Sequence, residues 1–183
     1  MSGFIDYQKL IETLKDHFEL KGFNNHNHDW NKILGVSRSK IESIPDKIGN
    51  KISFSTLKEL EEIHKLIQEH NVLFILGKSG YGKSVLVKKY IQEQLNQNDK
   101  FVWIDAQSIQ TKSLQNHFGI QHELTELFSK VQQPNCYLFI DGVDRFFKES
   151  ELNLIAPILS IASNHNSSWK IIFTCQTDDF EDV

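Results

Sequence analysis

Apolar positions follow two rhythms along the chain. From Phe4 to Phe18 they stand at helical spacing (Phe4, Tyr7, Leu10, Ile11, Leu14, Phe18), which predicts an amphipathic helix. The next stretch, KGFNNHNHDWNKILGVSRSKIESIPDKIGNK, is polar with Gly and Pro punctuation and reads as irregular, with room for one short helix. Helical spacing resumes at Leu57, Leu60, Ile63, His64 and Ile67, with Ser55 as N-cap and Asn71 as the stop. Short apolar runs then alternate with helical patterns. Strands are predicted at Val72–Leu76, Phe101–Asp105, Tyr137–Asp141 and Lys170–Cys175. Helices are predicted at Lys83–Leu95, at Ser113–Val131 with a break near Gly119, and at Glu149–Ala162 despite Pro157. Such alternation predicts an α/β fold with a parallel β-sheet between helical layers. Residues 1–51 read as an N-terminal helical segment and linker, and residues 52–183 as the core.

The turn after the first core strand carries the strongest chemical signal. In GKSGYGKS, the residues Gly77, Gly82, Lys83 and Ser84 fit G-x-x-x-x-G-K-[ST], the P-loop or Walker A pattern. Glycines let backbone approach a ligand closely, and inward-facing N–H groups make an anion nest. The helix beginning near Lys83 adds unpaired N–H groups and a positive dipole end. The context fits, because an apolar strand precedes the loop and Val85, Leu86, Tyr90, Ile91 and Leu95 follow at helical spacing. Residues Gly77, Lys78, Ser79, Gly80, Tyr81, Gly82, Lys83, Ser84 and Val85 are therefore the candidate nucleotide-binding set. Lys83 is expected to reach the β- and γ-phosphates and Ser84 to bind Mg²⁺.

About sixty residues on, CYLFIDGVDRF runs four apolar residues into Asp141, the Walker B pattern. An acid at the carboxyl end of a parallel strand lies beside the phosphate loop and is placed to hold the Mg²⁺ shell. Hydrolysis also needs a group that orients water. The residue after Asp141 is Gly142, which has no side chain. Asp144 is the nearest substitute; the alternative is a loop carboxylate paired with Arg145. At the end of the last strand, Thr174 and Gln176 are candidates to contact the γ-phosphate or the water, or else simply terminate the strand. Arg38 and Arg145 are the only arginines.

Composition changes the picture mainly by exclusion. Among 183 residues the net charge is −4 with no long basic block, which offers no electrostatic case for nucleic acid. Hydrophobic residues make up 39%, enough for a real core, yet no apolar run is long enough to span a bilayer and no signal-peptide pattern opens the chain. A cytoplasmic location is the default expectation. The two cysteines, Cys136 and Cys175, fall at opposite ends of parallel strands, some 15 Å apart at about 3.3 Å per residue. That excludes a disulfide and predicts free thiols that fill the core. The HNHDW segment supplies two histidines and Asp29, short of the three or four convergent ligands a metal site usually needs. Phe101 and Trp103 read as sheet core, and Phe146 and Phe147 as packing residues.

Together GKSGYGKS, LFIDGVDR and KIIFTCQ resemble the STAND class of signal-transduction P-loop NTPases, which includes NACHT domains and prokaryotic antiviral STAND proteins. FSTLKELEEI also looks like the lead-in helix of that class. The resemblance covers Ile52 to Val183. It implies an AAA+/STAND-like core that binds ATP and Mg²⁺ and acts as a nucleotide-dependent regulatory switch in antiviral defence signalling. It also implies self-association in the full-length protein, with effector and sensor domains outside this segment. The chain departs from the class pattern at Arg145, at Gln176 and at Ser55-Thr56, so hydrolysis is expected to be slow or lost. Two alternatives stay open: an AAA+-like ATPase that remodels nucleic acid or protein, and a nucleotide-binding scaffold without turnover. The guanine-specificity pattern Asn/Thr-Lys-x-Asp is not evident, which favours ATP over GTP. In STAND and AAA+ folds the strand corresponding to Lys170–Cys175 inserts between the P-loop and Walker B strands. A fifth strand and a helical lid then complete the domain. The chain is accordingly expected to lack that strand and lid, and to leave Val72–Leu76 at the sheet edge. That edge would associate with another copy or be covered by residues 1–50.

Overall fold

In the computed structural model the described residues are 26–45, 57–96, 99–105, 113–131, 135–145, 149–164 and 167–177. The strand pairs 47–48 and 52–53 and single positions 14 and 108 are described as well. The predicted helix from Phe4 to Phe18, the Ser55 cap and the packing of Phe146 and Phe147 lie outside them.

Four apolar runs form one parallel sheet: β3 (Val72–Leu76), β4 (Lys100–Asp105), β5 (Cys136–Asp141) and β6 (Trp169–Cys175). The order is β3-β6-β5-β4 with every pairing parallel. The last strand therefore inserts beside the P-loop strand, as expected. Strands β4, β5 and β6 are buried almost throughout, as a parallel sheet covered on both faces requires. Strand β3 is the exception. It lies at the edge, and Val72, Phe74 and Leu76 are each about 40% exposed.

Two cores flank the sheet, giving three layers. On one side, Leu60, Ile63 and Ile67 of α2 (Leu57–Glu69) and Val87, Tyr90 and Ile91 of α3 (Lys83–Gln94) pack on Trp103, Phe139 and Ile172. His64, read as part of that apolar face, is instead exposed and bonded to Gln68. On the other side lie α4 (Leu114–Phe118), α5 (Leu124–Ser129) and α6 (Glu149–Ala162). Ser113 caps α4 through Asn116 N, and Gly119 ends it in the left-handed region, the break predicted there. Pro157 occupies an exposed position of α6 and does not end it.

The polar stretch after residue 21 departs from its reading. It holds an 18-residue helix, α1 (His26–Ser43), followed by a small antiparallel pair, β1 (Lys47–Ile48) and β2 (Ile52–Ser53). Helix α1 lies along the free side of β4, where Ser37 Oγ accepts the Trp103 N–H at 3.1 Å. Its Trp30 and Ile33 join one core and its Ile41 the other, so it wraps the sheet edge. Trp30 sits in an aromatic cluster with Phe128 and Trp169, whose ring centroids are 3.8 Å apart. A Trp30→Ala change would remove that anchor at a cost of about 3–5 kcal/mol. The described part of residues 1–50 thus covers the edge at β4 and leaves Val72–Leu76 exposed, so of the two expected fates of that edge, cover by these residues is not seen among the described ones.

Cys136 and Cys175 are buried free thiols, as expected. Cys136 pairs across from Trp169, six residues before Cys175, or roughly 20 Å along the strand. Burial pushes the Cys136 thiol up to about 11, so it stays protonated and unreactive near neutrality.

Candidate functional site

The carboxyl ends of β4, β5 and β6 and the loop after β3 open on one cleft of about 560 Å³. The phosphate loop forms one wall. Gly80 and Gly82 have φ of 78° and 82°, a region that favours glycine. Gly82 is also the N-cap of α3 and supplies no side chain to cap it. The first-turn N–H groups of the helix are thus left for a ligand to satisfy. Ser79, Gly80, Gly82, Lys83, Ser84 and Val85 line the cleft. Gly77, Lys78 and Tyr81 do not. Lys83 Nζ donates to Gly77 O (2.7 Å) and Lys78 O (3.0 Å), which folds the ammonium across the loop. Tyr81 is 74% exposed at the loop tip.

The Walker B acid is tied to this loop. Asp141 Oδ1 accepts from Ser84 Oγ at 2.7 Å and from Thr174 Oγ1 at 2.7 Å. Thr174 Oγ1 in turn accepts the Gly142 N–H at 2.8 Å. One buried hydroxyl thus links the last strand, the Walker B carboxylate and the turn after it. A hydroxyl and a carboxylate in contact are hard oxygen donors of the kind Mg²⁺ takes. No cluster of three or more acidic, His or Cys residues fit for a metal occurs among the described residues. That donor set suits a cation completed by phosphate oxygens and water rather than by a protein cage. The residues present therefore fit both a nucleotide phosphate and Mg²⁺: Lys83 and the loop N–H groups for the one, Ser84 and Asp141 for the other.

Gly142 has φ 70°, and a Cβ there would lie 3.4 Å from the Arg145 side chain. A glutamate at this position would be strained by that backbone conformation. Asp144 is 2% exposed and lines the cleft. Its Oδ1 accepts the Gln176 N–H at 3.1 Å. No ion pair joins it to Arg145 among the described residues. Asp144, Thr174 and Gln176 therefore meet at one end of the cleft, with Arg145 beside them. Arg38 lines a separate groove with Ile91, Leu95 and Phe101.

Sequence reasoning missed a second wall of the cleft. Lys40, Ser43, Ile44, Pro45 and Asp105 line the same cleft. Asp105 ends β4 in register with Asp141 at the end of β5. The strand-end signal that marked Asp141 was therefore present at Asp105 too. Lys40 Nζ stands 2.6 Å from Asp105 Oδ2. Burial alone would raise the Asp105 pKa. The Lys40 ammonium and the hydrogen bonds from Ser108 outweigh it and hold the carboxyl below its ordinary value. The buried Lys88 of α3 donates to Ile44 O at 2.6 Å and fixes this wall to the P-loop helix. The HNHDW segment forms the first turn of α1 and is structural. Buried Asp29 accepts the N–H groups of Gln121 and His122 and pairs with His122 Nδ1 at 2.8 Å.

A family model for the AAA domain matches residues 69–174, more than half of the chain, and the chain belongs to that family. It is also similar to the methionine import ATP-binding protein MetN of Legionella pneumophila (strain Paris). The two are 26% identical over 129 residues, which is 65% of this chain and 37% of MetN. The chain thus spans little more than a third of that relative. In fold it is similar to a chain in the structure of Drosophila ORC bound to DNA. There the TM-score is 0.52 at 16% identity, over 81% of this chain and 44% of that one. A second solved structure, the Walker-type ATPase PABY2304 of Pyrococcus abyssi, aligns with TM-score 0.46 at 15% identity over 74% of this chain and 48% of its own. The P-loop NTPase fold read from the sequence is therefore the fold observed, and the domain is of the AAA type. Among the described residues no helix is long and apolar enough to cross a membrane.

Proposed function

We propose that this chain is the ATP-binding module of a STAND-type regulatory switch that takes ATP with Mg²⁺ and turns it over slowly, in signalling of the antiviral-defence kind. The observation that carries the reading is the turn Asp141-Gly142-Val143-Asp144. The Walker B acid is joined to the loop serine, yet the next position is a positive-φ glycine backed by Arg145. The site is furnished for holding a nucleotide and poorly furnished for activating water. Asp144 takes the water-orienting role from a buried position, and Thr174 and Gln176 report the terminal phosphate to the end of the last strand. The whole protein self-associates through this module, and effector and sensor functions lie in other segments.

Measuring ATP affinity alongside turnover tests the proposal. The expected result is Mg²⁺-dependent ATP binding with turnover far below the roughly 10 s⁻¹ median of enzymes. Asp144→Asn should keep the binding and lower the residual turnover. Rapid multiple turnover by the wild-type chain would overturn the switch reading in favour of an AAA+ remodelling ATPase. Binding with no turnover at all would leave a scaffold.

A further inference from the structure

We infer that Lys40 of the N-terminal helix is a terminal-phosphate sensor, held by Asp105 until a nucleoside triphosphate draws its ammonium across the cleft. The inference rests on the reading of the cleft as a nucleotide site. Lys40 lies outside the residues matched by the AAA family, yet it lines the same cleft as Lys83, Ser84 and Asp141.

Three features place it there as a movable charge. First, the backbone that carries it is fixed. Ser37 bonds to Trp103 N on the sheet edge, and Ile44 O is held by the buried Lys88 of the P-loop helix. Second, Asp105 divides its two oxygens. Oδ1 takes the N–H and hydroxyl of Ser108 at 2.9 and 3.0 Å, while Oδ2 faces Lys40. When the ammonium leaves, the carboxylate keeps two hydrogen bonds and is not stranded. Third, the pair stands between two cavities. A second one of about 460 Å³ is lined by Gly35, Ser39, Trp103 and His117 and shares Lys40, Ser43 and Asp105 with the first. The Lys40 side chain is 33% exposed and has room to swing.

The charge pattern supplies the direction. A lysine ammonium is a compact point charge on a flexible stem, suited to phosphate oxygens. Lys83 is already at the loop, Arg145 is folded against Gly142, and Arg38 is in another groove. On the wall formed by α1, Lys40 is the cation paired with Asp105, whose strand end is aligned with that of Asp141. A triphosphate entering beside Asp141 competes with Asp105 for it. A diphosphate lacks the group that would reach it. Lys40 would then read the presence of the third phosphate and pass it to α1.

Calorimetry with Mg²⁺ and either a non-hydrolysable ATP analogue or ADP, on wild type, Lys40→Met, Lys40→Arg and Asp105→Asn, tests this. Lys40→Met should lose roughly ten- to a hundredfold in affinity for the triphosphate, the range of one charged contact, with ADP affinity unchanged. Lys40→Arg should recover most of the preference. Asp105→Asn, which can keep the Ser108 bonds while losing its charge, should bind the triphosphate more tightly. An ion pair that merely fastens the helix predicts otherwise: both neutral variants would weaken the two nucleotides alike, or neither, and either result would overturn the inference. Wild-type protein that binds neither nucleotide would remove the nucleotide-site reading itself, and this inference with it.

Discussion

Thr174 is where the account can be tested through stability, independently of any ligand. Its hydroxyl donates to Asp141 Oδ1 at 2.7 Å and accepts from Gly142 N at 2.8 Å, and the residue is 2% exposed. Valine has the same shape without the hydroxyl. Thr174→Val therefore removes a hydrogen bond to a charged acceptor, worth about 1.5–3 kcal/mol, and leaves the Gly142 N–H without its partner, at about 1–3 kcal/mol. Gly142 is half-buried, so water compensates part of the second loss, and about 2–4 kcal/mol is expected in all. For a domain of this size that lowers the melting temperature by roughly 4–16 °C. Thr174→Ser keeps both bonds and loses only a methyl, so it should fall within about 1.5 kcal/mol of wild type. Thermal and denaturant unfolding of the three proteins is the assay. A valine variant as stable as wild type, or a serine variant as unstable as valine, would refute the hydroxyl bridge.

Asp141→Asn should weaken Mg²⁺-dependent nucleotide binding more than metal-free binding, measured by calorimetry with and without a chelator; equal losses would count against a metal-shell role. Acid should destabilise the fold through Asp29 as well as Asp105. Burial works to raise the Asp29 pKa, but the bonds from His122 and Gln121 prevail and leave it, like Asp105, below the ordinary aspartate value of about 3.9. Both contributions are complete above that value and vanish as pH falls through the lower folded values, so urea midpoints should drop below about pH 4. An Asp29→Asn variant with an equally steep acid limb would deny Asp29 its share. The edge strand should drive concentration-dependent association that Phe74→Lys suppresses, read by sedimentation; wild type that stays monomeric at high concentration would contradict this.

The sheet was legible because its strands are nearly pure signals. VLFIL, FVWID, LFID and KIIFTC are short apolar runs, and two of them end in acids at the cleft. The phosphate loop was legible because its chemistry is local. Helix α1 was not. Of its five buried positions, Asp29 and Ser37 are polar, because their partners are backbone N–H groups of distant segments rather than apolar side chains. Gly35 in mid-helix weakens the propensity further. A helix whose buried face is part polar has no clean period to read. The Lys40–Asp105 wall was hidden for a related reason. It joins that unread helix to a strand end 65 positions later, and no spacing rule connects them. The aromatic seat of Trp30 on Phe128 and Trp169 is likewise a product of packing.

The central claim is that the loop after Val72–Leu76 holds nucleotide phosphate through Lys83. Lys83 contacts loop carbonyls and carries no part of the core, so Lys83→Ala should fold normally. Titration of Mg²⁺-ATP into wild type and Lys83→Ala, with melting curves to confirm the fold, is the direct measurement. The account predicts binding by wild type and its loss in the variant. Equal affinity in both proteins would contradict it.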